Sequence, residues 1–211
     1  MESPAPWTPP SPAPSRFEAL GLVLREYENE DAPALFEAVD TSRASLLPWL
    51  PFAKTQYQSV EAAAELIALF TRARRDLLHP ELGAVFGAVN GVFDAATGEL
   101  LGGTGVNRIS APRHNGEIGY WVRSSRQRQG VATRAAAAML SWCFLPQTQG
   151  GYGLRRVHIF AAQPNVASVG VPTRLGLHRY GQMRKDRFED GYGWVDTVAW
   201  DVLADEWDTE Q

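Results

Sequence analysis

The chain has 211 residues, a formal net charge of −4 and 45% apolar residues, which suits one domain with a sizeable core and offers no basic surface for nucleic acid. No apolar run approaches the ~18 residues that a membrane span needs, and the N-terminus lacks the basic start and apolar stretch of a secretory signal. A single cysteine, Cys143, sits in the apolar run Trp142-Cys143-Phe144; it excludes an internal disulfide and a Cys-rich zinc site and fits a reducing, cytoplasmic setting.

Residues 1–16 are dense in proline, with Pro4, Pro6, Pro9, Pro10, Pro12 and Pro14, and read as an extended, flexible and untethered arm, a docking role for Trp7 being the alternative. A single folded domain is expected over 17–211. Leu20 to Tyr27 reads as a strand. Asn29-Glu30-Asp31 then offers helix caps, with Pro33 tolerated in the first turn and Ala34 to Val39 continuing the helix. Pro48 and Pro51 break Leu46 to Phe52 into an aromatic-lined loop. Ser59 caps a further helix, along which Ala62, Leu66, Leu69 and Phe70 recur at helical spacing.

Gly83 to Phe93 and Leu100 to Ile109 read as strands joined by the turn residues Asp94 to Gly98, a hairpin. Glu117 to Arg123 is a further strand, and an alanine-rich helix follows over Ala132 to Leu145. Arg155 to Ala162 is a strand and Asn165 to Leu175 a short helix; Gly181 to Phe188 and Trp194 to Leu203 close the chain as strands. The helix between Glu117–Arg123 and Arg155–Ala162 makes those two strands parallel neighbours. The fold class is therefore α+β: a mixed, mostly antiparallel sheet flanked by helices.

The segment Arg126-Gln127-Arg128-Gln129-Gly130-Val131-Ala132-Thr133 lies between a strand and a helix. Gly130 lets the backbone turn tightly, Ala132 is small, and the first N–H groups of the helix are unpaired and carry the positive end of its dipole. Arg126, Arg128 and Arg134 could add charge. A diphosphate is the natural guest; a helix start with solvated arginines is the alternative. The G-x-G-x-x-G of dinucleotide folds is absent.

Gln127-x-x-Gly130-x-Ala132 resembles the Q/R-x-x-G-x-G/A signature of the GNAT superfamily of acetyl-CoA-dependent N-acetyltransferases. The chain is similar in particular to the RimJ/RimL type, which acetylates protein N-termini, notably of ribosomal proteins. The resemblance runs from about Leu22 to Trp207 through Leu47 to Phe52, Leu101-Gly102-Gly103-Thr104-Gly105, Glu117 to Val122, Gln129 to Thr133, the pair Asn165 and Ser168, Arg174-Leu175-Gly176, and Asp196. It implies a GNAT fold in which the parallel pair splays apart to admit the pantetheine arm. Val122, Gln127, Arg128, Gln129, Gly130, Val131, Ala132, Thr133, Asn165 and Ser168 would then bind acetyl-CoA. Trp49, Leu50, Phe52 and Tyr120 would line the acceptor pocket. The acceptor is expected to be a protein N-terminus, with a small amine such as an antibiotic, polyamine or amino acid as the alternative, and a non-catalytic acyl-CoA-binding module as a third. Neither a metal nor a membrane is implied, and the resemblance leaves room for a homodimer.

Acetyl transfer needs a neutral amine, and a free α-amino group with a pKa of about 7.7–8.0 asks for only modest deprotonation. Glu117 is the candidate base, directly or through water, or else an ion-paired carboxylate beside His114 or Arg113. The resemblance assigns the Val122 N–H to the oxyanion. Ser168 is the candidate acid for the departing thiolate, or a simple helix cap with Asn165. Tyr120 is a second acid candidate, but strand alternation sets it on the face opposite Glu117. His79, His114, His158 and His178 show no metal-ligand spacing. Pro172 departs from the family pattern: the last short helix must either start late or kink.

Overall fold

The computed structural model describes residues 5, 7–75 and 87–208. Eight strands form one sheet: β1 (Arg16–Ala19), β2 (Leu22–Arg25), β3 (Ala88–Asp94), β4 (Leu100–Ser110), β5 (Asn115–Val122), β6 (Arg156–Ala162), β7 (His178–Glu189) and β8 (Gly193–Leu203). The helices are α1 (Ala32–Leu46), α2 (Phe52–Thr55), α3 (Val60–Arg74), α4 (Val131–Phe144) and α5 (Val166–Arg174). Strand order is β1-β2-β3-β4-β5-β6-β8-β7. Every neighbouring pair is antiparallel except β5–β6, the parallel pair that the intervening α4 requires. The structure thus has the mixed, mostly antiparallel α+β architecture expected from the element order.

Two apolar layers sandwich the sheet. On one face α4 packs its alanines Ala135, Ala136 and Ala138 against Leu22, Val106, Ile118 and Val157; their small side chains let the helix lie close. On the other face Leu35, Val39, Ala63 and Ile67 of α1 and α3 meet Val23, Phe93 and Leu100. β4 runs close beneath Trp121: a Cβ on Gly103 would stand 2.4 Å from the Trp121 indole nitrogen, so this strand position accepts only glycine. Ser59 caps α3 as expected, its Oγ accepting from Ala62 N at 3.2 Å.

Several boundaries differ from the sequence reading, among them β7, which begins at His178 rather than Gly181. Leu20 to Tyr27 is not one strand, because Leu20 and Gly21 take left-handed backbone (φ 55° and 70°) and fold β1 back on β2 as a hairpin. α1 runs to Leu46 rather than Val39. The strand expected over 83–93 is observed as Ala88–Asp94, while 83–86, like His79, lies outside the described residues.

Of the proline-rich segment, read from sequence as an untethered arm with docking by Trp7 as the alternative, the described residues around Trp7 dock. Trp7 is 5% exposed within the α4-side core. Its indole N–H donates to the Tyr152 carbonyl at 2.7 Å and its backbone N–H to Ala111 at 3.0 Å. Gln147 donates to the Thr8 carbonyl at 2.8 Å. An extended proline-rich backbone makes no internal hydrogen bonds, so its polar groups are available to a neighbour; one large aromatic side chain supplies the burial that the prolines lack. Trp7→Ala is expected to destabilise the fold by roughly 3 kcal/mol, the usual cost of truncating a buried aromatic. Urea unfolding measures this, and a change under about 0.5 kcal/mol would mean that the segment contributes only as an exposed surface does.

Candidate active site

β5 and β6 pair over only three positions, Asn115–Arg156, Gly116–Val157 and Glu117–His158. Beyond Glu117 they separate. Arg123 N donates to Leu101 O on β4 at 2.9 Å, so backbone alternation turns the N–H of Val122 the other way, toward the edge that β6 has left. The Val122 carbonyl on that edge accepts from Gln127 Nε2 at 3.1 Å. The sheet therefore carries a gap with strand backbone along one side.

The turn after β5 sits at the end of this gap. Gly130 precedes α4 with φ 75°, a left-handed conformation natural to glycine. A Cβ at Gly130 would meet nothing within 4 Å, so any side chain there would project into the space in front of α4. The first intrahelical bond is Arg134 N to Gly130 O, 3.0 Å, which leaves the N–H groups of Val131, Ala132 and Thr133 without helical acceptors. Three N–H groups and the helix dipole converge on one open position, the geometry for a diphosphate. The turn is held from behind by α1: Ser42 Oγ accepts from Ser124 N at 2.8 Å and Ser45 Oγ lies 3.0 Å from Ser124 Oγ. Arg123 reaches both Glu37 oxygens at 2.7 Å.

Of the three arginines expected to add charge here, two are engaged elsewhere. Arg126 pairs with Glu99, Nε to Oε1 at 3.1 Å, and Arg134 donates to the Leu20 carbonyl at 2.9 Å. Arg128 is exposed with left-handed backbone, φ 60°. Gln129 donates to Ser125 O at 3.2 Å, and Thr133 Oγ1 accepts from Arg174 Nε at 3.2 Å.

The two faces of β5 lead to different surroundings. Glu117 lies on the α1–α3 side, and its Oε2 is 2.9 Å from Arg108 Nη1, not beside His114 or Arg113. Burial raises its carboxyl above the ordinary range, against the pull of Arg108. His158, its partner across the parallel register, has its ring between Tyr180 Oη at 3.2 Å and Asn115 Nδ2 at 3.4 Å. On this side an open groove of about 520 Å³ is lined by Trp49, Pro51, Arg108, Phe160, Met183 and Phe188. Trp49 stands 4.8 Å from Tyr192 in the β7–β8 turn, ring centre to ring centre, and Lys54 pairs with Asp190, so the α1–α2 segment touches that turn above the groove.

Tyr120 points to the opposite face. Its hydroxyl donates to the Ser168 carbonyl at 3.1 Å and lies 3.5 Å from Ser168 Oγ. Burial pushes its pKa up to about 12, so it stays protonated through neutral pH. Asn165 caps α5, its Oδ1 accepting from Ser168 N at 3.1 Å.

The structure therefore brings Val122, Gln127 to Thr133, Tyr120, Asn165 and Ser168 to the gap, with Glu117 on its other face. Of the four expected pocket residues only Trp49 faces the groove. Leu50 packs on the α1–α3 core, Phe52 meets Tyr57 and Trp121 edge-on, and Tyr120 lies on the α5 side. Sequence reasoning missed Arg108, Phe160 and the β7–β8 turn; the β4–β5 hairpin register, which pairs Asn107 with Glu117, is the signal that could have found Arg108.

Residues 21–178 match the family model described as acetyltransferase (GNAT) domain. The chain is 26% identical over 90% of its length to a Bacillus subtilis protein named “Putative ribosomal N-acetyltransferase YdaF”, covering 95% of that relative. It superposes on the crystal structure of a probable acetyltransferase with a TM-score of 0.76, at 26% identity over 91% of this chain and 98% of that one. The Mycobacterium smegmatis RimJ structure in complex with CoA-disulfide gives a TM-score of 0.71, at 24% identity over 88% and 83%.

Gly130→Leu adds a side chain at a left-handed position and fills the space before α4; coenzyme A affinity is expected to fall by at least about tenfold. Calorimetric titration measures this, and unchanged affinity would show that the turn does not carry the diphosphate.

Proposed function

The chain belongs to the GNAT acetyltransferase family, an acetyl-CoA-dependent N-acetyltransferase, and we propose that its acceptor is the α-amino group of a protein N-terminus. The observation that carries the coenzyme A half of this reading is the opening of the sheet beyond Glu117 with the Gly130 turn at its end. Such a gap admits a slender chain while three helix N–H groups hold its diphosphate. The residues present fit coenzyme A.

The groove supports a peptide acceptor over a polycationic small molecule. It is open and partly aromatic, and its lining sets the carboxylates Asp186 and Glu189 against the guanidiniums Arg108 and Arg187, with Glu189 facing Arg187 at 3.6 Å. A site for polyamines needs free negative charge. The ribosomal name of the Bacillus subtilis relative agrees with a protein acceptor. The same reading puts the enzyme in the cytoplasm, in keeping with its single, buried cysteine.

The two faces of β5 divide the chemistry. Glu117 takes the proton of the incoming amine, directly or through one water. The N–H of Val122, turned to the gap, donates to the thioester oxygen as negative charge develops there. The departing sulfur leaves toward Ser168, whose hydroxyl supplies one proton and regains one from solvent, while Tyr120, its own proton on the Ser168 carbonyl, holds that residue in place. Amine and thiol thus come and go on opposite sides of the sheet, so the base and the acid do not compete for one proton.

A turnover screen with acetyl-CoA is expected to favour peptides with a free N-terminal α-amine over polyamines, aminoglycosides and free amino acids; faster turnover of a small amine would overturn the acceptor assignment. Glu117→Gln tests the base. The carboxyl is raised by burial, so the wild-type kcat/KM should fall as pH drops through a limb lying above the ordinary carboxyl range, and the variant should lose that limb along with most of its rate. The stability sign is opposite: a carboxyl raised on folding opposes folding as pH rises through the same window, so the variant should be no less stable than wild type at neutral pH. A variant that keeps wild-type rate and pH profile would remove Glu117 from the chemistry.

A further inference from the structure

We propose that Pro172 is a positioning residue: by withholding an N–H from helix α5, it leaves the Ser168 carbonyl to the Tyr120 hydroxyl and so fixes the Tyr120–Ser168 pair at the gap. This inference rests on the reading that the leaving thiol departs toward that pair, with Ser168 as its acid.

In a regular α-helix the N–H of residue 172 would donate to the carbonyl of residue 168. α5 starts at Val166, directly after its Asn165 cap, and runs to Arg174, so Pro172 stands inside it rather than in its first turn. Proline has no N–H, so the Ser168 carbonyl loses its helical donor. A polar backbone group in such a place needs a partner. Here that partner is the Tyr120 Oη–H, from β5, at 3.1 Å. Tyr120 has one proton to give. Spent on the Ser168 carbonyl, it leaves the phenol oxygen as an acceptor 3.5 Å from Ser168 Oγ. The other end of Ser168 is held as well, its N–H donating to Asn165 Oδ1 at 3.1 Å. The serine is thus gripped through its N–H by the helix cap and through its carbonyl by the strand. Pro172 itself is buried within α5 and bears on the backbone carbonyl of Ser168 rather than on its hydroxyl, so it acts through Tyr120 and not on the reacting atoms.

Replacing Pro172 by any other residue restores the helical donor. Pro172→Ala and Pro172→Leu differ in bulk but share the restored N–H and the loss of the ring that crowds the Ser168 carbonyl, so an effect common to both belongs to the proline backbone and not to side-chain volume. With tyrosine labelled at the ring carbon bearing the hydroxyl, the Tyr120 resonance is assigned by its loss in Tyr120→Phe. It is expected to move in both proline variants as the hydroxyl is displaced from the Ser168 carbonyl. kcat is expected to fall about fivefold, the weight of one hydrogen bond, with the KM for acetyl-CoA within about twofold. In a Tyr120→Phe background the same proline substitutions should leave kcat unchanged. An unmoved Tyr120 resonance overturns the inference whatever the rate. So does a loss of kcat that persists undiminished without the Tyr120 hydroxyl, or a shifted resonance with wild-type kcat. The reading beneath it fails separately: Tyr120→Phe and Ser168→Ala would then both keep full kcat, while the resonance still reports whether Pro172 controls the contact.

Discussion

The interaction on which the site depends is one that stops: the parallel pairing of β5 and β6 ends at Glu117 and His158. A continuous parallel pair would satisfy the edges of both strands and leave no opening. Ending it after three residue pairs leaves backbone groups along the edge of β5, which are costly unless partnered. The chain partners some with its own side chains, as Gln127 does for the Val122 carbonyl, and leaves the Val122 N–H facing the gap. The binding groups of the site are largely backbone, and their direction is set by strand alternation and not by any rotamer.

Holding such a gap open needs rigid walls. α4 supplies one through its buried alanine face, which fixes the helix start and with it the Gly130 turn. α1 supplies the other, with Ser42, Ser45 and Glu37 fastening the segment after β5. Only one of the three arginines around the turn is free of a structural contact among the described residues. Attraction for the anion therefore rests chiefly on N–H groups and the helix dipole. These cannot swing away, as an arginine side chain can.

Much of this was legible because local rules carried it. The strand–turn–helix order around Gly130, the parallel pair implied by α4, and the opposite orientations of Glu117 and Tyr120 follow from spacing of a few residues. What was not legible depends on contacts between distant segments. Arg108 takes its place beside Glu117 through a hairpin register with an irregularity between Asn107 and Ser110. Trp49 meets Tyr192 across more than half the chain. Leu50 and Phe52 look like pocket lining beside Trp49, yet the helical turn they open directs them into the core. Trp7 sits among prolines that carry no pattern, and its buried site is built from residues more than 100 positions away.

Pro172 shows how a local fault and a distant contact can be one feature. As a helix position it is unfavourable, costing ~3 kcal/mol or more in a helix interior. As part of the tertiary structure it creates an acceptor that Tyr120 fills. The same logic governs the whole site. β5–β6 forgoes ladder bonds, the Gly130 turn takes left-handed backbone, and α5 lacks a helical bond, all within one region of the sheet. Each departure from regular structure exposes a backbone group with a fixed direction. Regular elements around them, α1 and α4 above all, absorb the cost through burial. Backbone groups freed in this way can meet developing charge without reorganising, which is the condition under which electrostatic stabilisation of a transition state is strongest.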